Sequence, residues 1–218
     1  MAIKVFIADD HAVVRDGLKS ILEAEGDINV VGTASDGRQA VRQLCKLKPD
    51  VVIMDIAMPE LNGIEATEQV CETCPSAQVV ILSMHATSEY IFRALKAGAK
   101  GYLLKESAGQ EVVNAVRTVE KGRRYLSQQI EEAVINDYMN RHETAITKSP
   151  LDMLSSRERE ILQLVVEGKP SVEIAGILFI SPKTVETYRS RMMQKLKVRD
   201  LPGLVKFAIQ HGITSLDT

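Results

Sequence analysis

Short apolar runs alternate with amphipathic segments from the N-terminus to about residue 126. Runs rich in β-branched residues predict five strands, at 3–8, 28–34, 51–54, 78–83 and 100–104. The segments between them have helical periodicity, at 12–25, 37–47, 62–72, 88–97 and 108–120. Because strands and helices alternate strictly, this pattern predicts an α/β fold: a doubly wound parallel sheet of five strands with helices on both faces.

The pattern changes beyond residue 126. Residues 127–150 start as a helical segment and end in Ser-Pro without apolar periodicity, which indicates a linker helix and a tether. Only helical patterns follow, at 155–167, 171–178, 181–196 and 201–211. A three-residue link between the second and third of these helices is typical of a helix-turn-helix. The sequence therefore predicts three parts: a first domain at 1–126, a linker at 127–150, and an all-α domain of four helices at 151–218.

Composition narrows the cellular context. No apolar run approaches the ~18 residues of a membrane span, and no secretory signal is evident, so we expect a cytoplasmic protein without membrane association. The three cysteines, Cys45, Cys71 and Cys74, are too few and too clustered for a disulfide framework. Cys71 and Cys74 form a C-x-x-C pair, but no second pair or nearby histidine completes a tetrahedral metal site, so neither a redox role nor a zinc role is favoured. Packing at helix ends is their expected role.

Carboxylates stand where predicted strands end. Asp55 ends the third strand, and Asp9 and Asp10 follow the first. Ligands of parallel sheets bind at the carboxyl ends of the strands, and three carboxylates at one such edge need a cation with oxygen ligands, for which Mg²⁺ is suited. Ser83 and Lys105 close the fourth and fifth strands and could hold phosphoryl oxygens. The set predicts transfer of a phosphoryl group to Asp55.

Residues 1 to about 122 resemble the receiver domain of two-component response regulators, in the motifs FIADDH, VVIMDIAMPELNG, ILSMHA and KGYLLKE. The resemblance implies a flavodoxin-like fold in which a sensor histidine kinase phosphorylates Asp55. It implies that Ser83 is the switch hydroxyl, Tyr102 the switch aromatic and Lys105 the phosphate partner. It also implies that Mg²⁺ is bound by Asp9, Asp10, Asp55 and the backbone carbonyl of Ala57.

The C-terminal part carries a local positive charge. Residues 181–199 contain six Lys/Arg against the single acid Glu186, which suggests a polyanionic partner. The segment LSSREREILQLVVEGKPSVEIAGILFISPKTVETYRSRMMQKLKV resembles the LuxR-type helix-turn-helix module, and its pairing with a receiver is the layout of NarL-type response regulators. The third helix of this module is predicted to enter the major groove of promoter DNA. Its candidate contacts are Lys183, Thr184, Thr187, Tyr188, Arg189, Arg191 and Lys195.

These observations favour a DNA-binding transcription regulator and not an enzyme. Phosphorylation of Asp55 is expected to control formation of a homodimer and its binding to promoter DNA, with RNA polymerase as a further candidate partner. One alternative is an aspartyl-phosphate phosphohydrolase, which commonly needs a second acid where Ala57 stands. The other is a phosphorylation-independent regulator whose receiver only dimerises, and the intact acidic set argues against it.

Overall fold

The computed structural model describes residues 2–106, 109–141 and 150–214. The chain divides into two units, one formed mainly by residues 1–146 and the other mainly by residues 147–218. The predicted tether at 143–150 lies outside the described residues except for its last position. The three predicted domain limits stay predictions.

Strands and helices of the first unit follow the order that the hydrophobic pattern predicts, and their limits agree within about two residues. The strands are β1 (Ile3–Ala8), β2 (Ile28–Ala34), β3 (Val51–Asp55), β4 (Gln78–Ser83), β5 (Gly101–Leu104) and β6 (Tyr125–Leu126). The helices are α1 (Ala12–Glu23), α2 (Gly37–Leu47), α3 (Gly63–Thr73), α4 (Ser88–Lys96), α5 (Gly109–Glu120) and α6 (Gln128–Arg141).

The strands form one parallel sheet in the order β2-β1-β3-β4-β5-β6. The doubly wound parallel architecture is therefore confirmed, with β1 and β3 side by side at its centre. The predicted number of five strands is one too low within the described residues. The additional strand β6 has only two residues, which pair with Gly101 and Tyr102 of β5, and two residues are too few to show an alternating pattern.

Helices cover both faces of the sheet. Val5, Ile7 and Ile53 belong to a buried cluster that also contains residues of α1 and α5. The intervening strand residues, such as Phe6 and Met54, are also fully buried and point to the opposite face, because successive side chains alternate along a strand. The central strands are thus covered on both faces. The side chains at their carboxyl ends therefore lie at the edge of a buried sheet.

The second unit is helical throughout its described part. After a 3-10 turn (Pro150–Met153) come α7 (Ser156–Val166), α8 (Ser171–Leu178), α9 (Pro182–Leu196) and α10 (Leu201–Gln210), in agreement with the four predicted helices. The N-terminus of α7 has the expected capping box: the Glu158 amide donates to Ser155 Oγ at 3.3 Å, and the Ser155 amide donates to Glu158 Oε2 at 2.8 Å. No helix in the described ranges combines the length and apolar character of a membrane span.

Candidate functional site: an acidic edge of the sheet and a basic helix

The carboxyl ends of β1 and β3 bring acidic side chains together. β1 and β3 pair in parallel register, so that Asp9, which directly follows β1, lies near Asp55 at the end of β3. Asp9 and Asp55 are almost completely buried, and Asp10 is partly exposed. The prediction that these carboxylates converge at one edge agrees with the observed geometry.

Lys105 connects two of these acids. Its Nζ lies 2.8 Å from Asp55 Oδ2 and 2.8 Å from Asp9 Oδ2, and its side chain is only 12% exposed. The amide of Lys105 donates to the carbonyl of Ser83 at 2.9 Å, which fixes the start of the loop after β5. The cation is therefore built into the same edge of the sheet as the acids.

The electrostatics of this edge are unbalanced, because three carboxylates surround one lysine. The pKa of Asp55 is raised to about 6, chiefly by burial; Lys105 opposes the rise, and Asp9 and Asp10 add to it. Burial alone would lower the pKa of Lys105, but the contacts with Asp55 and Asp9 outweigh it and raise that pKa overall. Asp55 is consequently ionised at neutral pH but at a cost in free energy.

The acidic group also has the geometry of a cation site. Asp9, Asp10, His11 and Asp55 each offer one ligand atom, and these atoms lie within 4.8 Å of one another. The buried Asp9 Oδ2 and Asp10 Oδ1 accept no hydrogen bond, although each faces a basic nitrogen, Lys105 Nζ and His11 Nδ1 respectively. Carboxylate oxygens with unused lone pairs suit a hard divalent cation.

His11 was not among the residues that the sequence predicts for the site. Its Nδ1 lies 2.6 Å from Asp10 Oδ1, and its amide donates to Asp9 Oδ1 at 2.9 Å. Its position immediately after the two aspartates was the available signal. Ala57, which was predicted to contribute its carbonyl, lies in the loop after β3, and its role stays a prediction.

The loop between β4 and α4 is tied to the site by the two predicted switch residues. Ser83 is buried at the end of β4, and its Oγ accepts a hydrogen bond from the amide of His85 at 3.1 Å. The hydroxyl of the fully buried Tyr102 donates to the carbonyl of His85 at 2.7 Å. Burial raises the pKa of Tyr102 far above its usual range, so it stays a neutral donor. Both side chains thus hold the same residue of one loop.

Two residues that the sequence analysis did not single out shape the loop after Asp55. A Cβ on Gly63 would lie 1.9 Å from the backbone oxygen of Asp55, so only glycine permits this close approach. Asn62 caps α3 by accepting hydrogen bonds from the amides of Ile64 and Glu65 at 3.1 and 3.2 Å. The Asn-Gly pair in the segment PELNG was the signal, because such pairs mark tight turns.

The predicted DNA contacts lie on α9, which packs on the second unit through Val185 and Met192. Ser181 caps this helix and Pro182 is its first residue, as the sequence indicates. A surface depression at its N-terminal half is lined by Ser181, Lys183, Thr184, Thr187, Tyr188 and Arg191. Five of the seven predicted contacts are therefore neighbours on one face.

The other two predicted contacts take part in ion pairs of the second unit. Lys195 Nζ lies 2.8 and 2.7 Å from the carboxylate oxygens of Glu158, which connects α9 to the capping box of α7. Arg189 Nη1 lies 3.5 Å from Glu186 Oε1 and 3.3 Å from Ser171 Oγ. Contact of Arg189 and Lys195 with DNA stays a prediction, and the structure gives each a second role.

Comparison with known proteins agrees with both units. Residues 5–117 match the response regulator receiver domain, and residues 152–208 match the bacterial regulatory proteins of the luxR family. The oxygen regulatory protein NreC of Staphylococcus carnosus (strain TM300) is 41% identical over 210 residues, which cover 95% of this chain and 97% of that protein.

Solved structures resemble this chain over nearly its whole length or over its larger part. The two-component response regulator RcsB in complex with DNA is 27% identical, with a TM-score of 0.59 over 95% of this chain and 98% of that one. A LuxR-family response regulator from Aurantimonas sp. SI85-9A1 is 32% identical, with a TM-score of 0.62 over 64% of this chain and 99% of that one. The chain therefore belongs to the two-component response regulators that join a receiver to a LuxR-type DNA-binding domain, and it is a transcription regulator.

Proposed function

We propose that Asp55 accepts a phosphoryl group from a sensor histidine kinase, and that the phosphorylated chain forms a homodimer that binds promoter DNA through α9. The observation that carries this proposal is the position of Lys105, 2.8 Å from the buried carboxylates of both Asp55 and Asp9. A cation held at that point can neutralise the carboxylate and also the negative charge of a phosphoryl group attached to it.

In the proposed transfer, a carboxylate oxygen of Asp55 attacks the phosphorus of a phosphohistidine, and the bond from phosphorus to the imidazole nitrogen breaks. With a pKa of about 6, Asp55 is ionised at neutral pH and can act as the nucleophile. Lys105 neutralises the phosphoryl oxygens. Mg²⁺ would supply further neutralisation of these oxygens, held by Asp9, Asp10, Asp55 and the backbone carbonyl of Ala57.

The switch follows from the two bonds that hold His85. When Ser83 Oγ turns to a phosphoryl oxygen, it releases the His85 amide, and Tyr102 can move with the loop. The same loop leads into α4, whose first residue donates from Ser88 Oγ to Asp137 Oδ1 of α6 at 3.0 Å. These contacts lead from Ser83 through the loop to α6, and the proposed switch needs only a phosphoryl group on Asp55 that interacts better with one arrangement of the loop.

The proposed DNA contacts are Lys183, Thr184, Thr187, Tyr188 and Arg191, whose side chains share the depression on α9. Arg189 and Lys195 are proposed to reach phosphates from the flanks of this face. RcsB, which resembles this chain over its whole length, has been solved with DNA and as two dimers bound to two parallel DNAs. We propose that this chain also binds DNA as a dimer, with RNA polymerase as a further partner.

The phosphoryl acceptor is tested by labelling the purified full-length protein with acetyl phosphate and Mg²⁺, followed by intact-mass measurement. We expect one phosphoryl group on the unaltered protein and none on Asp55→Asn. Asp16→Asn makes the same chemical change on the exposed side of α1 and should be labelled normally. Full labelling of Asp55→Asn would show that another residue is the acceptor.

The coupling to DNA is tested by sedimentation and by fluorescence anisotropy with promoter fragments. Phosphorylation should produce a dimer and raise DNA affinity, whereas Lys183→Ala with Arg191→Ala should lower affinity without changing circular dichroism. Log K should fall by about 0.9 for each phosphate contact per tenfold rise in salt. Equal sedimentation and equal affinity of the two forms would contradict the coupling and favour a phosphorylation-independent regulator, and rapid release of inorganic phosphate from supplied phosphodonors would favour the phosphohydrolase.

A further inference from the structure

Two cysteines from different helices meet on the surface of the first unit. Cys45 lies in the last turn of α2, and Cys74 is the residue that ends α3. Their sulfur atoms are 3.0 Å apart, with the Cys74 thiol donating to Cys45 Sγ. Both are free thiols; Cys45 is exposed and Cys74 is partly exposed. Nothing in the acidic edge or in α9 uses this pair.

We infer that Cys45 and Cys74 form a reversible intramolecular disulfide when the protein meets a peroxide, which makes this pair a site of oxidative modification that clamps α2 to α3. A disulfide bond is about 2.05 Å long, so the two sulfur atoms need to approach by about 1 Å. Rotation of the exposed Cys45 side chain can supply this movement while the helices keep their positions.

The chemistry assigns different roles to the two thiols. The Cys45 thiolate attacks one oxygen of the peroxide; the O–O bond breaks, hydroxide leaves, and Cys45 becomes a sulfenic acid. The Cys74 sulfur then attacks Cys45 Sγ; the S–O bond breaks, and the hydroxyl leaves as water with the Cys74 proton. In sum, two thiols and one hydrogen peroxide give one disulfide and two waters.

The surroundings of Cys74 agree with this order. Burial raises the pKa of the Cys74 thiol, and its hydrogen bond to Cys45 raises it further. Cys74 therefore keeps its proton until the sulfenic acid has formed, while the exposed Cys45 is the thiol that peroxide reaches first.

Cys71 is not the partner, although the sequence pairs it with Cys74 as C-x-x-C. A Cβ on Gly98 would lie 2.6 Å from Cys71 Sγ, which shows that this sulfur packs closely against the turn after α4. Burial also raises the pKa of the Cys71 thiol. The expected role in helix-end packing thus fits Cys71, whereas Cys45 and Cys74 have the geometry of a dithiol.

The pair lies away from the phosphorylation site. In a parallel sheet whose helices return the chain to the next strand, the C-terminal ends of α2 and α3 lie at the edge where β3 and β4 begin, opposite the edge that holds Asp55. The disulfide would close a loop of about 30 residues that includes β3 and the phosphoacceptor, and such a closure restricts the unfolded chain. Oxidation should therefore stabilise the unit without covering Asp55.

The test uses the full-length protein, treated with hydrogen peroxide, alkylated, and cleaved by a protease that cuts after glutamate. Cleavage after Glu72 separates Cys71 from Cys74, so that mass spectrometry identifies which cysteine is linked. We expect a Cys45–Cys74 link that dithiothreitol removes, and a rise of the thermal midpoint by at least about 5 °C. Cys71→Ser, the matched control, should form the same link, and Cys74→Ser should form none.

Several outcomes would overturn the inference in the unaltered protein, whether or not the variants fold. One such outcome is that alkylation still modifies both Cys45 and Cys74 after peroxide treatment. The others are a Cys71–Cys74 link, a link between two chains through Cys45, and sulfinic acid on Cys45 without any disulfide. Labelling with acetyl phosphate in the oxidised state provides a second readout. Loss of labelling there would contradict the position of the pair away from Asp55.

Discussion

Replacement of Asp55 by asparagine should stabilise the first unit at neutral and alkaline pH in the absence of divalent cations. Asp55 is 2% exposed, and burial raises its pKa from 3.8 to about 6. A carboxyl whose pKa is higher in the folded than in the unfolded state binds its proton more tightly when folded, so its ionisation destabilises the fold. Asparagine keeps the shape of the side chain and carries no charge.

The magnitude follows from the two pKa values. The difference between 3.8 and about 6 corresponds to about 3 kcal/mol above the folded-state pKa. The advantage of the variant should be complete at pH 8, about half as large at pH 5, and about a fifth as large at pH 4. Its sign is opposite to that of an acid stabilised by an ion pair, because here burial outweighs the attraction of Lys105.

Urea unfolding of the full-length protein between pH 4 and pH 8 in EDTA provides the assay. Four of the five tyrosines precede residue 142, so tyrosine fluorescence mainly follows the first unit, and circular dichroism follows both. The control Asp16→Asn should change stability by less than about 0.5 kcal/mol at any pH. Asp55→Asn with unaltered or reduced stability at pH 8, or with an advantage independent of pH, would refute the argument. Added Mg²⁺ should reduce the difference in stability between Asp55→Asn and the unaltered protein, because it stabilises the unaltered protein.

Three further predictions concern stability. Gly63→Ala should destabilise the first unit by several kcal/mol, because its Cβ would lie 1.9 Å from the Asp55 carbonyl oxygen; Gly17→Ala, with open space around it, should be neutral or stabilising by up to about 1 kcal/mol. Burial opposes the ionisation of Glu158, but the contact with Lys195 lowers its pKa overall. Glu158→Gln should therefore lower the free energy of unfolding by about 1 kcal/mol at pH 7. In urea unfolding this difference should vanish as the pH falls below the folded-state pKa of Glu158. Lys197→Gly should raise the thermal midpoint of the second unit, because Lys197 has a φ of 55°, which costs a residue with a side chain roughly 1 kcal/mol.

The fold was largely predictable because its signals are local and strong. The segment Val51–Asp55 is buried at every position, and a run of this kind between two amphipathic helices is typical of a central parallel strand. β6 escaped prediction because two residues carry no period. Its place at the sheet edge depends on pairing with β5, which is a tertiary contact that no local pattern reports.

The site was predictable where residue type and strand position agree, as for Asp9, Asp55 and Lys105. It was less predictable where the role depends on backbone geometry or on a neighbour distant in sequence. The approach of Gly63 to the Asp55 carbonyl depends on backbone geometry, and the sequence did not reveal it. The contact between Cys45 and Cys74 depends on residues distant in sequence, because the two cysteines lie on helices separated by a strand. The C-x-x-C spacing of Cys71 and Cys74 gives no signal for this pair, because proximity in sequence is not proximity of sulfur atoms.

If the loop after β4 acts as the proposed switch, the contacts around His85 explain why a single phosphoryl group is enough to operate it. The structure shows the loop after β4 held at this residue by the hydroxyls of Ser83 and Tyr102, and each neutral hydrogen bond contributes about 1 kcal/mol net. A hydrogen bond from Ser83 to a phosphoryl oxygen is charge-assisted and about twice as strong. In the proposed switch, exchange of one bond for the other would therefore favour release of the loop by about 1 kcal/mol. Such a margin changes populations severalfold, and dimer formation on DNA can add to it.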